Sequence, residues 1–149
     1  MTLSPVEALG RSPVFELLSQ AELVALAKLC RPVSWREGEV VFQEGDPGAS
    51  LFVLSTGEVE VLNRHGGADK VITILSAPAA FGEMALVDRE ARSATVRART
   101  PCEALELTAE AFTAFRKRSR DGFTFVVINV ARILSSRLRE TSQRLAERL

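Results

Sequence analysis

Hydrophobic and polar positions divide this chain of 149 residues into a helical start, a strand-rich middle and a helical end. The first part contains Ser19-Gln-Ala-Glu22, which is a capping-box signature, and leucine and alanine residues follow it at helical spacing. Proline cannot donate the backbone hydrogen bond that a helix interior needs, so Pro32 is expected to end this helix. The pattern therefore predicts helices within residues 1–31.

Residues 32–107 have a different pattern, in which short apolar runs alternate with turn residues. Gly38, Gly45 and Gly57 fall between the runs, where tight turns often require a positive φ. Short strands at this spacing are typical of a compact antiparallel β-roll or barrel. The predicted strands cover residues 33–35, 40–42, 51–54, 59–61, 71–75, 94–96 and 104–107.

The last part of the chain, residues 108–149, has a helical pattern again. Thr108 suits the N-cap of a short helix at 109–118, and Asp121-Gly122 is expected to break it. The segment 123–149 contains no Gly or Pro, which predicts a long final helix.

This final helix carries two apolar stripes. One stripe has alternating spacings of four and three residues, which is the seam of a coiled coil, and the other could pack on the β-roll. A helix with two apolar sides needs two partners, and a second copy of the chain is the simplest second partner. The alternative is a monomer whose helix folds wholly onto its own core. The seam comprises Val127, Ala131, Leu134, Leu138, Thr141 and Leu145, and the second stripe comprises Phe123, Val126, Val130 and Ile133.

Length and charge narrow the classes of protein. The length is that of one domain, and 19 basic residues balance 19 acidic ones, which argues against a globally basic nucleic-acid binder. No apolar run approaches the length of a membrane span, and the N-terminus lacks the pattern of a signal peptide. We therefore expect a cytoplasmic protein without a membrane partner.

Catalytic and metal-binding residue sets are missing from the sequence. Cys30 and Cys102 are far apart, without metal-ligand spacing, and are expected to be small, buried, reduced residues. The lone histidine, His65, stands beside two glycines in a turn composition, which predicts a loop residue. We find no Ser-His-Asp set and no catalytic Cys-His pair, and a single histidine limits most such schemes, so neither an enzyme nor a bound cofactor is expected.

Candidate chemistry concentrates in residues 81–96, which read FGEMALVDREARSATV. Glu83 can accept hydrogen bonds from a diol, and Arg92 presents a permanently charged donor fork suited to phosphate. Ser93 adds a hydroxyl, and Gly82 allows close approach of the backbone. Each residue alone also fits an ordinary helical turn beside a solvated arginine, whereas the ordered set favours a binding site.

The pattern FGE-x-AL followed by RSA resembles the phosphate-binding cassette of the cyclic nucleotide-binding domain family. The resemblance extends from about residue 12 to the end. It implies an antiparallel β-roll with N-terminal helices and a long C-terminal helix, a cyclic nucleotide as ligand, and no catalysis. The ligand-binding residues that it implies here are Phe81, Gly82, Glu83, Met84, Ala85, Arg92, Ser93 and Ala94, with Val61 on a neighbouring strand.

The final helix extends the resemblance through the run Arg137-Leu138-Arg139-Glu140-Thr141-Ser142. By this resemblance, Arg137 would approach the ribose and the cassette carboxylate. Thr141, and Ser142 from a partner subunit, would meet the adenine amino group. This register favours cAMP, although Ser93, directly after the cassette arginine, could instead serve cGMP.

The resemblance implies a regulatory module that senses a cyclic nucleotide and signals through its last helix to a homodimer or to an unidentified effector protein. One alternative is the sensor and dimerisation part of a transcription regulator. Such regulators carry a helix-turn-helix after the long helix, and the sequence ends at Leu149, so DNA binding by this chain is not expected. A β-roll that has lost its ligand is a further alternative, which the intact cassette disfavours.

Overall fold

Eight strands form two antiparallel four-stranded sheets in the computed structural model, which describes residues 2–88 and 90–148. The strands are β1 (Arg31–Trp35), β2 (Val40–Phe42), β3 (Ser50–Thr56), β4 (Glu58–His65), β5 (Ala68–Ser76), β6 (Ala80–Phe81), β7 (Thr95–Ala98) and β8 (Cys102–Thr108). The strand orders are β1-β8-β3-β6 in the first sheet and β2-β7-β4-β5 in the second. The predicted antiparallel β-roll is confirmed.

Helices come from both ends of the chain. They are α1 (Pro5–Arg11), α2 (Gln20–Leu29), α3 (Ala109–Arg118) and α4 (Arg120–Arg148), with 3₁₀ helices at Pro13–Phe15 and Glu83–Leu86. The predicted capping box is present, because Ser19 and Glu22 each accept from the backbone N–H of the other at the start of α2. Thr108 caps α3 as predicted. None of the described helices is both long enough and apolar enough to cross a bilayer.

Strand β3 separates two hydrophobic cores. Leu51 and Val53 on one face pack with residues of all four helices. Phe52 and Leu54 on the other face pack between the two sheets. Because both faces are covered, β3 reads in the sequence as a continuous apolar run and not as an alternation.

Two predicted helix limits are wrong. Helix α2 ends at Leu29, where the backbone becomes extended at Cys30, so that Pro32 lies inside β1. Proline is tolerated there because β1 is an edge strand. Helix α4 begins at Arg120 and contains Asp121-Gly122, and Ser119 is the residue that separates it from α3.

Smaller predictions also need correction. His65 is the last residue of β4, and Gly66-Gly67 lie between that strand and β5. Cys102 is buried as expected, whereas Cys30 is only partly buried. Burial nevertheless raises the pKa of the Cys30 thiol to about 12. The final residue of the predicted last helix, 149, lies outside the described residues.

Helix α4 packs on the core through its second stripe and through Val127, the first residue of the seam. Val126 and Val130 are buried in the core formed with the other helices, and Phe123 and Ile133 pack against it. Asn129 is also buried there and donates to the backbone oxygens of Val14, at 3.1 Å, and Glu16, at 2.8 Å. Beyond this point the seam leucines Leu134, Leu138 and Leu145 are 39%, 60% and 59% exposed.

Candidate functional site

A cavity of about 430 Å³ lies between the segment 80–96, the second sheet and α4. Two of the predicted site residues, Thr141 and Ser142, do not line it. The predicted residues that do are Val61, Phe81, Gly82, Glu83, Met84, Ala85, Arg92, Ser93, Ala94 and Arg137.

Gly82 shapes one wall of this cavity. Its φ is +76°, a conformation that residues with a side chain rarely adopt, and it precedes the 3₁₀ helix Glu83–Leu86. A Cβ at this position would lie 2.7 Å from Nη1 of Arg92 and 2.9 Å from the backbone oxygen of Ser50. The glycine therefore leaves the space that the arginine head group occupies.

Arg92 is held at the cavity wall by three neighbours. Its Nη2 donates to the backbone oxygen of Ser50 at 2.7 Å, and its Nη1 donates to that of Gly82 at 3.4 Å. Its guanidinium carbon lies 4.0 Å from the ring centroid of Phe42. The buried Nε has no hydrogen-bond partner among the described residues.

The charge of Arg92 persists despite its partial burial. Burial lowers the pKa of Arg92, and the negative charges of Asp46, Glu106 and Glu83 oppose this shift. An arginine keeps its proton in proteins, so the cavity has a fixed cation on its wall.

Glu83 supplies a buried carboxylate on the same cavity. Its side chain is 5% exposed, and its Oε1 lies 2.6 Å from Nη1 of Arg137 on α4. This ion pair brings the cassette carboxylate and the final helix together. The Oε1 atom has no hydrogen-bond partner among the described residues, so its contact with Arg137 is an ion pair only.

Thr141 and Ser142 lie further along α4, on its exposed part. The Thr141 hydroxyl donates to the backbone oxygen of Arg137, one turn earlier, at 2.9 Å. The contact of both residues with a nucleotide base, in which Ser142 would come from a partner subunit, stays a prediction.

Several lining residues were not among the predicted site residues. On β5, Thr73 and Leu75 alternate toward the cavity, and Thr73 pairs with Val61 of β4. Period-two alternation within the run VITIL is the signal that could have indicated them. The other unpredicted lining residues are Phe42, Gly48, Ala80, Asp88, Glu90, Ala91 and Val96.

The described residues contain no group of three or more His, Cys, Asp or Glu side chains that could hold a metal ion. The cavity combines the guanidinium groups of Arg92 and Arg137, the buried carboxylate of Glu83 and an apolar floor. This combination can bind a molecule that has an anionic group, a hydroxyl and an apolar face.

Comparison with known proteins supports this interpretation. The chain is 28% identical over 142 residues to the CRP-like cAMP-activated global transcriptional regulator of Mycobacterium tuberculosis, covering 95% of this chain and 62% of that protein. The chain thus spans less than two thirds of the length of this relative.

Solved structures share the fold. The Thermus thermophilus catabolite activator protein has a TM-score of 0.80 at 32% identity, covering 90% of this chain and 62% of that one. A cyclic nucleotide-binding domain from Methylobacillus flagellatus has a TM-score of 0.82 at 25% identity, covering 97% of this chain and 82% of that one.

The family model described as "Cyclic nucleotide-binding domain" matches residues 32–119. Apart from the first residue of β1, this match covers both sheets, and it includes the cavity wall that carries Glu83 and Arg92. The chain therefore belongs to the cyclic nucleotide-binding domain family.

Proposed function

We propose that this protein binds a cyclic nucleotide, and preferentially cAMP, in the cavity beside α4, and that it passes on ligand occupancy through α4. The observation that carries this proposal is that Arg92 and Glu83 line the same cavity in a chain of this family. In this proposal the protein is a regulatory module and not an enzyme.

The cyclic phosphate is assigned to Arg92. Burying a phosphate monoanion without a compensating charge costs several kcal/mol, and a guanidinium supplies that charge together with directed hydrogen bonds. The Nη atoms already donate to two backbone oxygens, so they are oriented before a ligand arrives. Such preorganisation lowers the cost of binding.

The ribose is assigned to Glu83, and this assignment suggests how α4 senses the ligand. Glu83 contacts Arg137 at 2.6 Å, so a sugar hydroxyl that binds the carboxylate acts on the same atom as the helix does. Ligand and helix are coupled if binding changes the geometry of this ion pair.

Preference for cAMP over cGMP has support from two sides. The Mycobacterium tuberculosis relative is described as cAMP-activated. Thr141 and Ser142 provide hydroxyls on α4 that could meet the adenine amino group. Ser93 lines the cavity and supports the cGMP alternative. A competition titration with the two nucleotides decides between them.

The function is tested by Arg92→Ala in calorimetric titrations with cAMP. We expect micromolar or tighter binding by the wild-type protein, and loss of tight binding by the variant with an unchanged far-UV circular dichroism spectrum. Arg99→Ala is the matched control, because Arg99 is a half-exposed arginine that pairs with Glu58 outside the cavity. Micromolar affinity retained by Arg92→Ala would contradict the proposed phosphate site.

Two alternatives have their own tests. The chain could be the sensor part of a longer transcription regulator, since it aligns with 62% of the Mycobacterium tuberculosis protein. The natural length of the gene product tests this alternative. Hydrolysis of the cyclic nucleotide would indicate an enzyme, and its product would appear in a chromatographic assay after incubation with the protein.

A further inference from the structure

A second carboxylate lies next to Arg92 but does not line the cavity. Glu106 on β8 has a side chain that is 13% exposed, and its Oε2 accepts from the hydroxyl of Ser50 at 2.7 Å. The backbone oxygen of the same serine accepts from Nη2 of Arg92 at 2.7 Å. A single buried residue therefore separates the carboxylate from the guanidinium.

Arg31 completes a row of alternating charges that runs from the surface to the cavity. This arginine on β1 is 74% exposed and forms an ion pair with Oε1 of Glu106. From outside to inside, the row is Arg31, Glu106 and Arg92. The two oxygens of Glu106 thus have different partners, one at the surface and one in the interior.

Glu106 is ionised at neutral pH in this arrangement. Burial alone would raise the pKa of Glu106, but hydrogen bonds from Ser50 and Arg31 and the positive charges of Arg31 and Arg92 bring it below its ordinary value. The attraction between Glu106 and Arg92 is mutual, because the carboxylate also favours the charged form of the arginine, second to the exposed Asp46.

We infer that Glu106 is a buried counter-ion of Arg92 and limits how tightly the cavity holds an anion, an inference that rests on the proposed function. A ligand phosphate and Glu106 both interact with the same guanidinium, and they repel each other. Arg31 partly neutralises Glu106 and so has the opposite effect on the ligand. A sensor gains from this arrangement, since weaker binding allows faster release.

The inference predicts effects of opposite sign from the two ends of the row. Glu106→Gln keeps an oxygen that can accept from Ser50 but removes the charge, and should tighten cAMP binding about two- to fivefold at low ionic strength. Arg31→Gln should weaken binding by a smaller factor, since Arg31 is exposed to solvent. Both effects should shrink in 0.5 M salt, where the Debye length is about 4 Å.

Calorimetric titration measures these affinities, with Glu103→Gln as the matched control. Glu103 is an exposed carboxylate on the same strand that neither lines the cavity nor contacts Ser50 among the described residues, so its variant should bind like the wild type. Unchanged or weaker binding by Glu106→Gln overturns the inference, as does an equal gain in Glu103→Gln.

A second measurement needs no ligand. In thermal unfolding of the ligand-free protein, Glu106→Gln should lower the Tm more in the wild type than in an Arg92→Gln background, because only the wild type loses the attraction to Arg92. If Glu106→Gln lowers the Tm equally in the wild type and in the Arg92→Gln background, the inference is overturned. Absence of nucleotide binding by the wild type refutes the proposed function instead, and the unfolding cycle still decides whether the two charges are coupled.

Discussion

The glycine and the arginine of the cassette depend on each other at the scale of single residues. Gly82 leaves space for Nη1 of Arg92, which lies ten positions further along the chain. The sequence motif predicts that both residues matter, but not that they touch. Their contact depends on the backbone oxygen of Ser50, which belongs to a strand outside the motif.

Phe42 shows the same limit of sequence reading. It lies 4.0 Å from the guanidinium of Arg92 and lines the cavity, yet the run VVF only indicates a strand. A cation above an aromatic ring is a specific contact that no residue spacing predicts. Phe42 is on β2 and Arg92 precedes β7, and the pairing of these two strands brings the side chains together.

Glu83 offers a sharp test of sugar recognition. If its carboxylate accepts from the ribose 2′-hydroxyl, 2′-deoxy-cAMP should bind the wild-type protein at least tenfold more weakly than cAMP, since a hydrogen bond to a charged group contributes about 1.5–3 kcal/mol. Glu83→Ala should bind both nucleotides with similar, reduced affinity. Calorimetric titrations of both proteins with both nucleotides measure how much of the preference for cAMP over 2′-deoxy-cAMP depends on Glu83.

Glu90→Ala is the control for Glu83→Ala. Glu90 also lines the cavity, but it is exposed and its backbone N–H is bonded to Asp88. If the wild type and Glu83→Ala prefer cAMP to 2′-deoxy-cAMP by the same factor, Glu83 does not contact the sugar hydroxyl. That result would not bear on the phosphate site.

At the scale of elements, the joint between α3 and α4 explains why one helix limit was predicted wrongly. The hydroxyl of Ser119 donates to Glu22 of α2 and accepts from the backbone N–H of Gly122. A Cβ on Gly122 would lie 2.5 Å from Oε2 of Glu22 and 3.0 Å from the ring of Phe115. Glycine stands here because another helix approaches closely, and not because the helix breaks.

This joint should make stability depend on pH through Glu22. Hydrogen bonds from Ser119 and Ser19 lower the pKa of Glu22 in the folded protein. A lowered folded-state pKa stabilises the protein above the ordinary carboxyl pKa, and this stability is lost as the pH falls through the folded value. Glu22→Gln should therefore lower the free energy of unfolding at pH 7, by only about 0.5 kcal/mol because solvent screens this partly exposed group, and by less near pH 3.

Urea denaturation at pH 7, 5 and 3 measures this difference in the free energy of unfolding. Glu37→Gln serves as the control, since Glu37 is an exposed carboxylate in the turn between β1 and β2. A constant difference between Glu22→Gln and the wild type at all three values would show that ionisation of Glu22 does not contribute.

At the scale of the whole molecule, the sequence predicts the architecture better than the limits of its elements. Turn glycines between apolar runs indicate the antiparallel roll, and Gly38, Gly45 and Gly57 do have a positive φ. The division into two cores was not predictable, because the run in β3 does not reveal which side each residue covers. Strand β6, with two residues, is too short to show a pattern.

The exposed seam of α4 predicts a homodimer. Leu138 is 60% exposed, so Leu138→Glu should leave the subunit folded but convert the dimer to a monomer, because a buried charge at a coiled-coil core position is costly. Light scattering after size-exclusion chromatography measures the mass at several protein concentrations.

Ser136→Glu is the control for this change, because Ser136 is exposed on α4 but lies outside both stripes. The dimer should persist in this variant. A wild-type protein that is monomeric at all concentrations would contradict the expected homodimer. The exposed seam of α4 would then need a different partner.

The hydrogen bond from Asn129 to Val14 joins residues 115 positions apart. During synthesis on the ribosome, α1 and α2 emerge long before α4, which covers the same core. Strands β3 and β8 contribute to this core earlier, but the apolar faces of the nascent N-terminal helices stay incompletely covered until α4 has left the exit tunnel. Chaperones that recognise exposed apolar segments would meet this protein first at its N-terminal end.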